Sequence, residues 1–311
     1  MYCIGFDIGG TKCAVSVGKI EGEKITVVER GEVPTGLPIA TMDKIAVFVE
    51  KFQKKYSIQS AGISCGGPLD SVAGVILTPP NLVTWHGFEI VAYVKKRFGL
   101  NAKLENDANA CALAEWKFGA GRGTKNMVFM TFGTGLGAGL ILDGKLYGGT
   151  NGNAGEIGHI RLAQNGPIGF GKAGSFEGFC SGGGISRLAV AMAKRAKKLP
   201  DCIAEMGGYE KVTTKELSRY AFAGDPFAKK VFAKSGSMLG KGLSVVIDIL
   251  NPEKIVLGGV FMRSSALLVP AMQKEIEKEA LSASNGVCVI VPAELSENIG
   301  DIAALAVAEG V

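Results

Sequence analysis

The sequence predicts an α/β protein of two similar domains around a cleft. Three observations carry this. Short apolar strands alternate with helical stretches along the chain. The pattern strand, Gly/Thr loop, strand occurs twice, over residues 2–17 and 126–142. The chain has 311 residues with 47% apolar composition, enough for two cores of ordinary size.

Residues 2–8 are a short apolar strand, followed by Gly9, Gly10, Thr11 and Lys12 and a returning strand over 13–17. A tight Gly turn lets the loop backbone approach a phosphate closely. No helix opens behind it, so it is not a Walker A loop. Asp7 closes the first strand, where it can hold Mg²⁺ through water, and Thr11 and Lys12 can donate to phosphate oxygens. Taken alone, the motif reads equally well as a simple Gly hairpin. Residues 25–31 form a third strand, and Ile45, Phe48, Val49, Phe52 and Tyr56 mark one face of an amphipathic helix. A buried strand over 61–65 ends at Gly66-Gly67-Pro68, where Gly67 either presents its N–H to a ligand or only makes a turn. The Pro-rich stretch 78–82 is a rigid loop with Trp85, and its Asn81 can donate to a hydroxyl. Residues 90–98 are a further helix.

The next stretch, residues 104–110, is the chemical centre of the chain. An extended run over 100–105 gives way to an Ala-rich helix from 108 to 118, so Asn106 and Asp107 fall at a strand-to-helix junction. Both residue types cap helices well, and a helix N-terminus favours a carboxylate. Asp107 placed there can take a proton from an alcohol. An isolated Asn-Asp pair would read as a cap alone; Gly loops on both sides of it in sequence favour the chemical role.

A Gly-rich linker over 119–123 marks the boundary between a first domain, 1–118, and a second, 119–297, with the last helix, about 298–311, packing back on the first. A strand over 126–132 leads into Gly133, Thr134, Gly135, Leu136 and Gly137, and a strand follows over 138–142. This second copy makes the pair more specific than either alone: two Gly hairpins gripping one polyphosphate imply two similar domains. Glu156 and His159 sit three apart in a Gly-rich stretch and can meet on one side of a turn. A lone His is more often structural. Residues 166–174 are a loop, with Glu177 just past it. Helices are expected over 186–198, from Asp225-Pro226 towards 250, over 264–281 and over 299–309. Ser235, Gly236, Gly240 and Gly242 predict close backbone packing of the second of these. A strand over 254–257 runs into Gly258 and Gly259, against which a base or ribose can lie flat, and 287–291 is another strand.

Net charge is +5, from 34 basic and 29 acidic residues. The only dense basic run, 194–198, reads as a solvated helix face, so a nucleic-acid partner is not expected. The seven Cys are scattered singly, which points to free thiols in a reducing cytoplasm. Met1 leads directly into a strand, leaving no room for a signal peptide. No apolar run approaches a membrane span.

Six motifs in order resemble those of ROK-family sugar kinases, of the sugar kinase/Hsp70/actin superfamily, nearly end to end. They are Asp7-Ile8-Gly9-Gly10-Thr11-Lys12, Pro80-Asn81-Leu82, Glu105-Asn106-Asp107-Ala108-Asn109, Gly133-Thr134-Gly135-Leu136-Gly137, Gly155-Glu156-Ile157-Gly158-His159 and Leu257-Gly258-Gly259. The resemblance implies two RNase H-like domains and ATP-dependent phosphorylation of a sugar hydroxyl, with the 6-hydroxyl of a hexose such as glucose expected. It implies Asp107 as catalytic base, with Asn106, Glu156, His159 and Glu177 on the sugar. It places ATP phosphates on the two Gly/Thr loops, with Mg²⁺ as cofactor, and a homodimer is expected. In many members, structural Zn²⁺ is held by the His of Gly-His and three Cys. Aligned on Glu177, those Cys positions are Ile168, Phe170 and Ser175, so zinc is not expected, and Ile168, Phe170 and Phe176 are expected to bury surface together instead. The alternatives are a ROK-type sugar-sensing repressor, whose N-terminal helix-turn-helix has no room before Tyr2, and a nucleotide-binding protein without kinase activity.

Overall fold

The computed structural model describes residues 1–295 and 299–310. The elements are, in order, β1 (Tyr2–Ile8), β2 (Lys12–Glu21), β3 (Lys24–Pro34), α1 (Pro38–Lys55), β4 (Ile58–Cys65), β5 (Leu69–Asp70), β6 (Val75–Ile76), α2 (Ile90–Phe98), β7 (Ala102–Asn106) and α3 (Asp107–Phe118). There follow β8 (Met127–Met130), β9 (Ala138–Leu142), β10 (Lys145–Leu146), β11 (Ile168–Gly169), β12 (Lys172–Ala173), α4 (Phe176–Cys180), α5 (Gly182–Lys194), α6 (Asp201–Glu205), α7 (Thr214–Phe222) and α8 (Pro226–Leu250). The chain closes with β13 (Lys254–Leu257), α9 (Val260–Glu279), α10 (Ser282–Asn285), β14 (Val289–Pro292) and α11 (Ile299–Glu309).

Two five-stranded sheets have the orders β3-β2-β1-β4-β7 and β10-β9-β8-β13-β14. In the first, β1 pairs antiparallel with β2 and parallel with β4, which continues parallel to β7. In the second, β13 runs parallel to both β8 and β14. Contacts divide the chain into two compact units, Met1–Lys125 with Gly139–Ala154 and Glu294–Val311, and Asn126–Ala138 with Gly155–Ala293. The expected boundary at 297/298 lies outside the described residues.

The pleat of β1 sorts the first unit's core. Ile4, Phe6 and Ile8 face α1 and α2, packing with Met42, Ile45, Val49, Phe52 and Val94. Cys3 faces the other way, with Ala110 and Ala114 of α3 and the Ala-rich helix α11. That helix lies unusually close to the sheet. A Cβ at Gly62 would stand 2.0 Å from the Ala304 carbonyl oxygen, and one at Gly5 2.9 Å from the Ala304 Cβ. Glycine on the sheet against alanine on the helix fixes where α11, and hence its first turn, must sit.

In the second unit α8 and α9 pack as closely as the small residues predict: Cβ atoms at Gly236 and Gly240 would each meet a carbonyl oxygen of α9 at 2.4 Å. Several boundaries differ from the sequence expectation. Helix α1 starts at Pro38, ahead of Ile45, the first residue of the face expected from sequence. Helix α5 starts at Gly182, where the Ser181 side chain accepts from the Gly184 N–H and opens the helix early, and it ends at Lys194. Helix α9 begins directly after Gly259. Helix α7 is additional. Its cap, with the Glu216 N–H donating to Thr213 Oγ1 at 3.2 Å, carries the sequence signature Thr-x-x-Glu.

Candidate active site

The candidate residues fall into two clusters, one in each unit. In the first, β1 ends at Ile8, and the Gly9 N–H donates to the Lys12 carbonyl at 3.1 Å, closing the expected hairpin. Thr35 Oγ1 braces the turn by donating to the Gly9 carbonyl at 2.6 Å. The tip meets the Asn81 loop: a Cβ at Gly10 would be 2.6 Å from the Asn81 carbonyl oxygen. Asn106 ends β7 and caps α3, its Oδ1 accepting from the Ala108 N–H at 2.9 Å. The same N–H reaches Asp107 Oδ1 at 2.8 Å. A Cβ at Gly67 would lie 3.0 Å from Asn106 Nδ2, so the 66–68 turn flanks the capping amide. Asp7, Gly9 to Lys12, Gly67, Asn81, Asn106 and Asp107 are therefore at one end of the first sheet.

This end is crowded with negative charge. Burial, and then Asp301 and Asp107, push the Asp7 carboxyl up to about 6, against the opposing pull of Arg30 and Lys12. Asp301 was not apparent from sequence. It lies in the first turn of α11, where a Cβ at Gly300 would stand 2.7 Å from Asp7 Oδ2. Arg30 Nε donates to Asp301 Oδ2 at 2.8 Å.

In the second unit, the Gly133 N–H donates to the Gly135 carbonyl at 3.1 Å, and the Gly137 N–H donates to Thr131 Oγ1 at 3.0 Å. Glu177 stands in the first turn of α4, and its Oε2 accepts from the Leu136 N–H at 3.2 Å. Its carboxylate is thus fixed against the Gly/Thr loop, and Gly158 lies against both: a Cβ there would be 2.2 Å from the Leu136 carbonyl oxygen and 3.4 Å from Glu177 Cβ. Glu156 precedes a single 3₁₀ turn, Ile157–His159, and is exposed, whereas His159 is half-buried. Gly259 joins this loop end at φ +60°, where a Cβ would strike the Phe132 carbonyl oxygen at 2.1 Å, so only glycine fits. The Gly258 N–H donates to the Met130 carbonyl at 3.0 Å.

The apolar staple expected in the 166–175 loop is absent. Ile168 and Phe170 are 56% and 71% exposed, while Phe176 is fully buried against Gly242 of α8. Phe170 and Gly171 form the two-residue turn between β11 and β12 with φ of +43° and +76°, which turns Phe170 away from the core. Polar contacts hold the loop instead. Ser175 Oγ accepts from the Gly178 N–H at 3.1 Å and donates to the Gly169 carbonyl at 3.3 Å. Lys172 Nζ donates to the His159 carbonyl at 2.7 Å, and the Phe170 ring meets the His159 ring edge-on at 4.9 Å.

Sequence reasoning also missed Glu115. Fully buried on α3, it accepts from the N–H groups of Ala120, Glu294 and Leu295 at 2.8, 3.2 and 2.9 Å. It thereby ties down the chain near one point where it leaves the first unit and at the point where it last returns to it.

The paired sheets and Gly/Thr loops define the sugar kinase/Hsp70/actin fold. Within it, the chain belongs to the ROK family, whose model matches residues 3–311. It is 31% identical to a glucokinase of Streptomyces coelicolor over 306 residues, covering 97% of this chain and 95% of that one. A ROK family glucokinase from Streptomyces griseus, solved with glucose and AMPPNP, superposes with a TM-score of 0.79 at 29% identity, covering all of both chains. A ROK family transcriptional regulator, a homologue of the Escherichia coli MLC protein, superposes with a TM-score of 0.85 at 25% identity, over 98% of this chain and 77% of that one. Among the described residues no helix is long and apolar enough to cross a membrane.

Proposed function

We propose that this protein transfers a phosphoryl group from ATP to a sugar hydroxyl, the 6-hydroxyl of a hexose such as glucose, with Asp107 as general base. The observation that carries this is the placing of Asp107 at the β7–α3 junction, beside the Asn106 cap and the Gly9 to Lys12 hairpin. The similarity to glucokinases, and to one solved with glucose and AMPPNP, supports the substrate pair. An alcohol is a weak nucleophile, so Asp107 accepts its proton as the oxygen attacks the γ-phosphorus and the bond to the ADP oxygen breaks. Asn106, Asn81, the Gly67 backbone, Glu156, His159 and Glu177 hold the sugar. Gly9, Gly10, Thr11, Lys12, Gly133, Thr134, Gly135 and Gly137 hold the phosphates, and Gly258 and Gly259 the nucleoside.

No group of three His, Cys, Asp or Glu able to hold a metal alone occurs among the described residues. Mg²⁺ requires only one or two carboxylates, with phosphate oxygens and waters completing its shell. Asp7, half-buried beside Asp107 and Asp301, offers a hard oxygen where a cation would relieve like-charge repulsion. When bound, Mg²⁺ would neutralise charge on the transferring phosphoryl group.

Asp107→Asn keeps the shape and removes the base. We expect kcat to fall by roughly 10²–10⁴, with sugar affinity kept, in an ADP-release assay over a panel of sugars. Turnover near that of the wild type would move the base elsewhere. The likeness to a regulator supports a second reading, a sugar sensor without turnover, which any sugar-dependent ADP release rejects.

A further inference from the structure

Lys12 does not stand alone at the edge of the phosphate hairpin. Its Nζ donates to Glu32 Oε2 at 2.9 Å. That oxygen also accepts from Arg30 Nη2 at 2.7 Å, and Arg30 turns its Nε to Asp301 Oδ2 at 2.8 Å. The result is a row of alternating charge, Lys12, Glu32, Arg30, Asp301, ending beside Asp7. Strand register builds it. Ala14 lies opposite Asp7 on one side and Glu32 on the other, and Ser16 lies opposite Arg30. Lys12, Ala14 and Ser16 alternate along β2, so all these side chains share one face of the sheet, the face α11 covers.

The row raises a difficulty for nucleotide binding. A polyphosphate arriving at the hairpin must take Lys12 from Glu32 and tolerate the carboxylate left behind. Lys12 is 63% exposed and Glu32 35%, so the pair is easily broken. The Glu32 carboxylate is the greater obstacle, being a fixed negative charge next to an incoming anion. Arg30 holds the very oxygen that Lys12 releases.

We propose that Arg30 is a positioning residue for the nucleotide: it keeps Glu32 neutralised and turned aside so that Lys12 can transfer to the phosphates. Asp301 anchors the guanidinium for this task and fixes it to the first turn of α11. The inference rests on the proposed reading that the Gly9 to Lys12 hairpin binds ATP phosphates.

The test measures ATP binding by calorimetry with Mg²⁺, together with KM for ATP and for glucose. For Arg30→Met we expect ATP affinity to weaken about three- to tenfold, with KM for glucose unchanged. Adding Glu32→Gln to that variant removes the uncovered carboxylate and should restore affinity to the wild-type value or better. Arg30→Lys should be intermediate, since an ammonium cannot hold both acids with one planar fork. Rescue by the second substitution separates positioning from mere support of the fold. Unchanged ATP affinity in Arg30→Met, or loss without rescue in the double variant, overturns the proposal. Should Arg30→Met fail to fold, Glu32→Gln alone decides: it should tighten ATP binding about threefold, and no change refutes the idea. If ATP binds and no sugar is phosphorylated, the kinase reading falls while the binding constants still judge Arg30. If ATP does not bind the wild type at all, both fall.

Discussion

Asp7→Asn offers a quantitative check on the crowded carboxylates. The Asp7 carboxyl is raised from 3.8 to about 6, chiefly by burial and then by Asp301 and Asp107. A difference of about two pKa units corresponds to ~3 kcal/mol. The group binds its proton more tightly in the folded state, so stability falls as pH rises. Below 3.8 both states hold the proton and nothing is lost. Between 3.8 and about 6 the unfolded chain ionises first, and above about 6 the full penalty applies. Glu29, lowered to about 2 by Lys55, Lys51 and Tyr56, pulls the other way with pH. The variant must therefore be compared with the wild type at each pH. We expect Asp7→Asn to be more stable by up to ~3 kcal/mol at pH 8, with the gain shrinking towards zero at pH 4. Urea unfolding without nucleotide or Mg²⁺ measures it. The same variant should lose activity, because the oxygen proposed for Mg²⁺ is gone. A gain that does not vary with pH, or a variant less stable at pH 8, would refute the assignment of strain to this carboxylate.

Glu115→Ala should destabilise the protein by roughly 3–5 kcal/mol, because it leaves three backbone N–H groups without their acceptor; denaturant unfolding that shows less than about 1 kcal/mol would mean that water replaces the carboxylate. Protein purified without chelator should contain no stoichiometric zinc by elemental analysis, since Ile168, Phe170 and Ser175 supply no thiolate. In the same loop, Ser175→Ala should raise KM for sugar, because Ser175 opens the short helix that carries Glu177; an unchanged KM would show that Glu177 is held by the Leu136 N–H alone.

What could be read from the sequence was local. Asn106 announces a helix start by residue type, and Gly9-Gly10 announces a tight turn, so both elements lie where the sequence placed them. The Thr213 cap of α7 carries an equally local sign, Glu216 three residues on, but it was passed over. Asp301 and Arg30 gave no such sign. They are 271 residues apart in the chain, and only the pairing of β2 with both β1 and β3, with α11 laid across them, brings them together. Glu115 stands in the Ala-rich helix with no local feature to mark it. Its burial depends on a segment some 180 residues away. Phe170 misled for a different reason. Residue type suggested a core, but a two-residue hairpin requires left-handed backbone at its tip, and the turn outweighs side-chain preference there.

The position of α11 connects these observations. Glycine at 5 and 62 on the sheet lets the helix backbone settle against the strands, with Leu305 fully buried, a contact worth about 1.5–3 kcal/mol. That packing leaves little freedom to slide, so it sets the height of the helix's first turn relative to β1. Gly300 then falls against the Asp7 carboxylate and Asp301 against Arg30. A helix contributed by the far end of the chain thus completes the charge pattern around a hairpin formed by its beginning. Substituting Gly62 would act on the Gly9 to Lys12 hairpin through this lever, although Gly62 lies in mid-strand. The carboxylates at the end of β1 are costly without a cation, and the same tight packing that stabilises the unit holds them together.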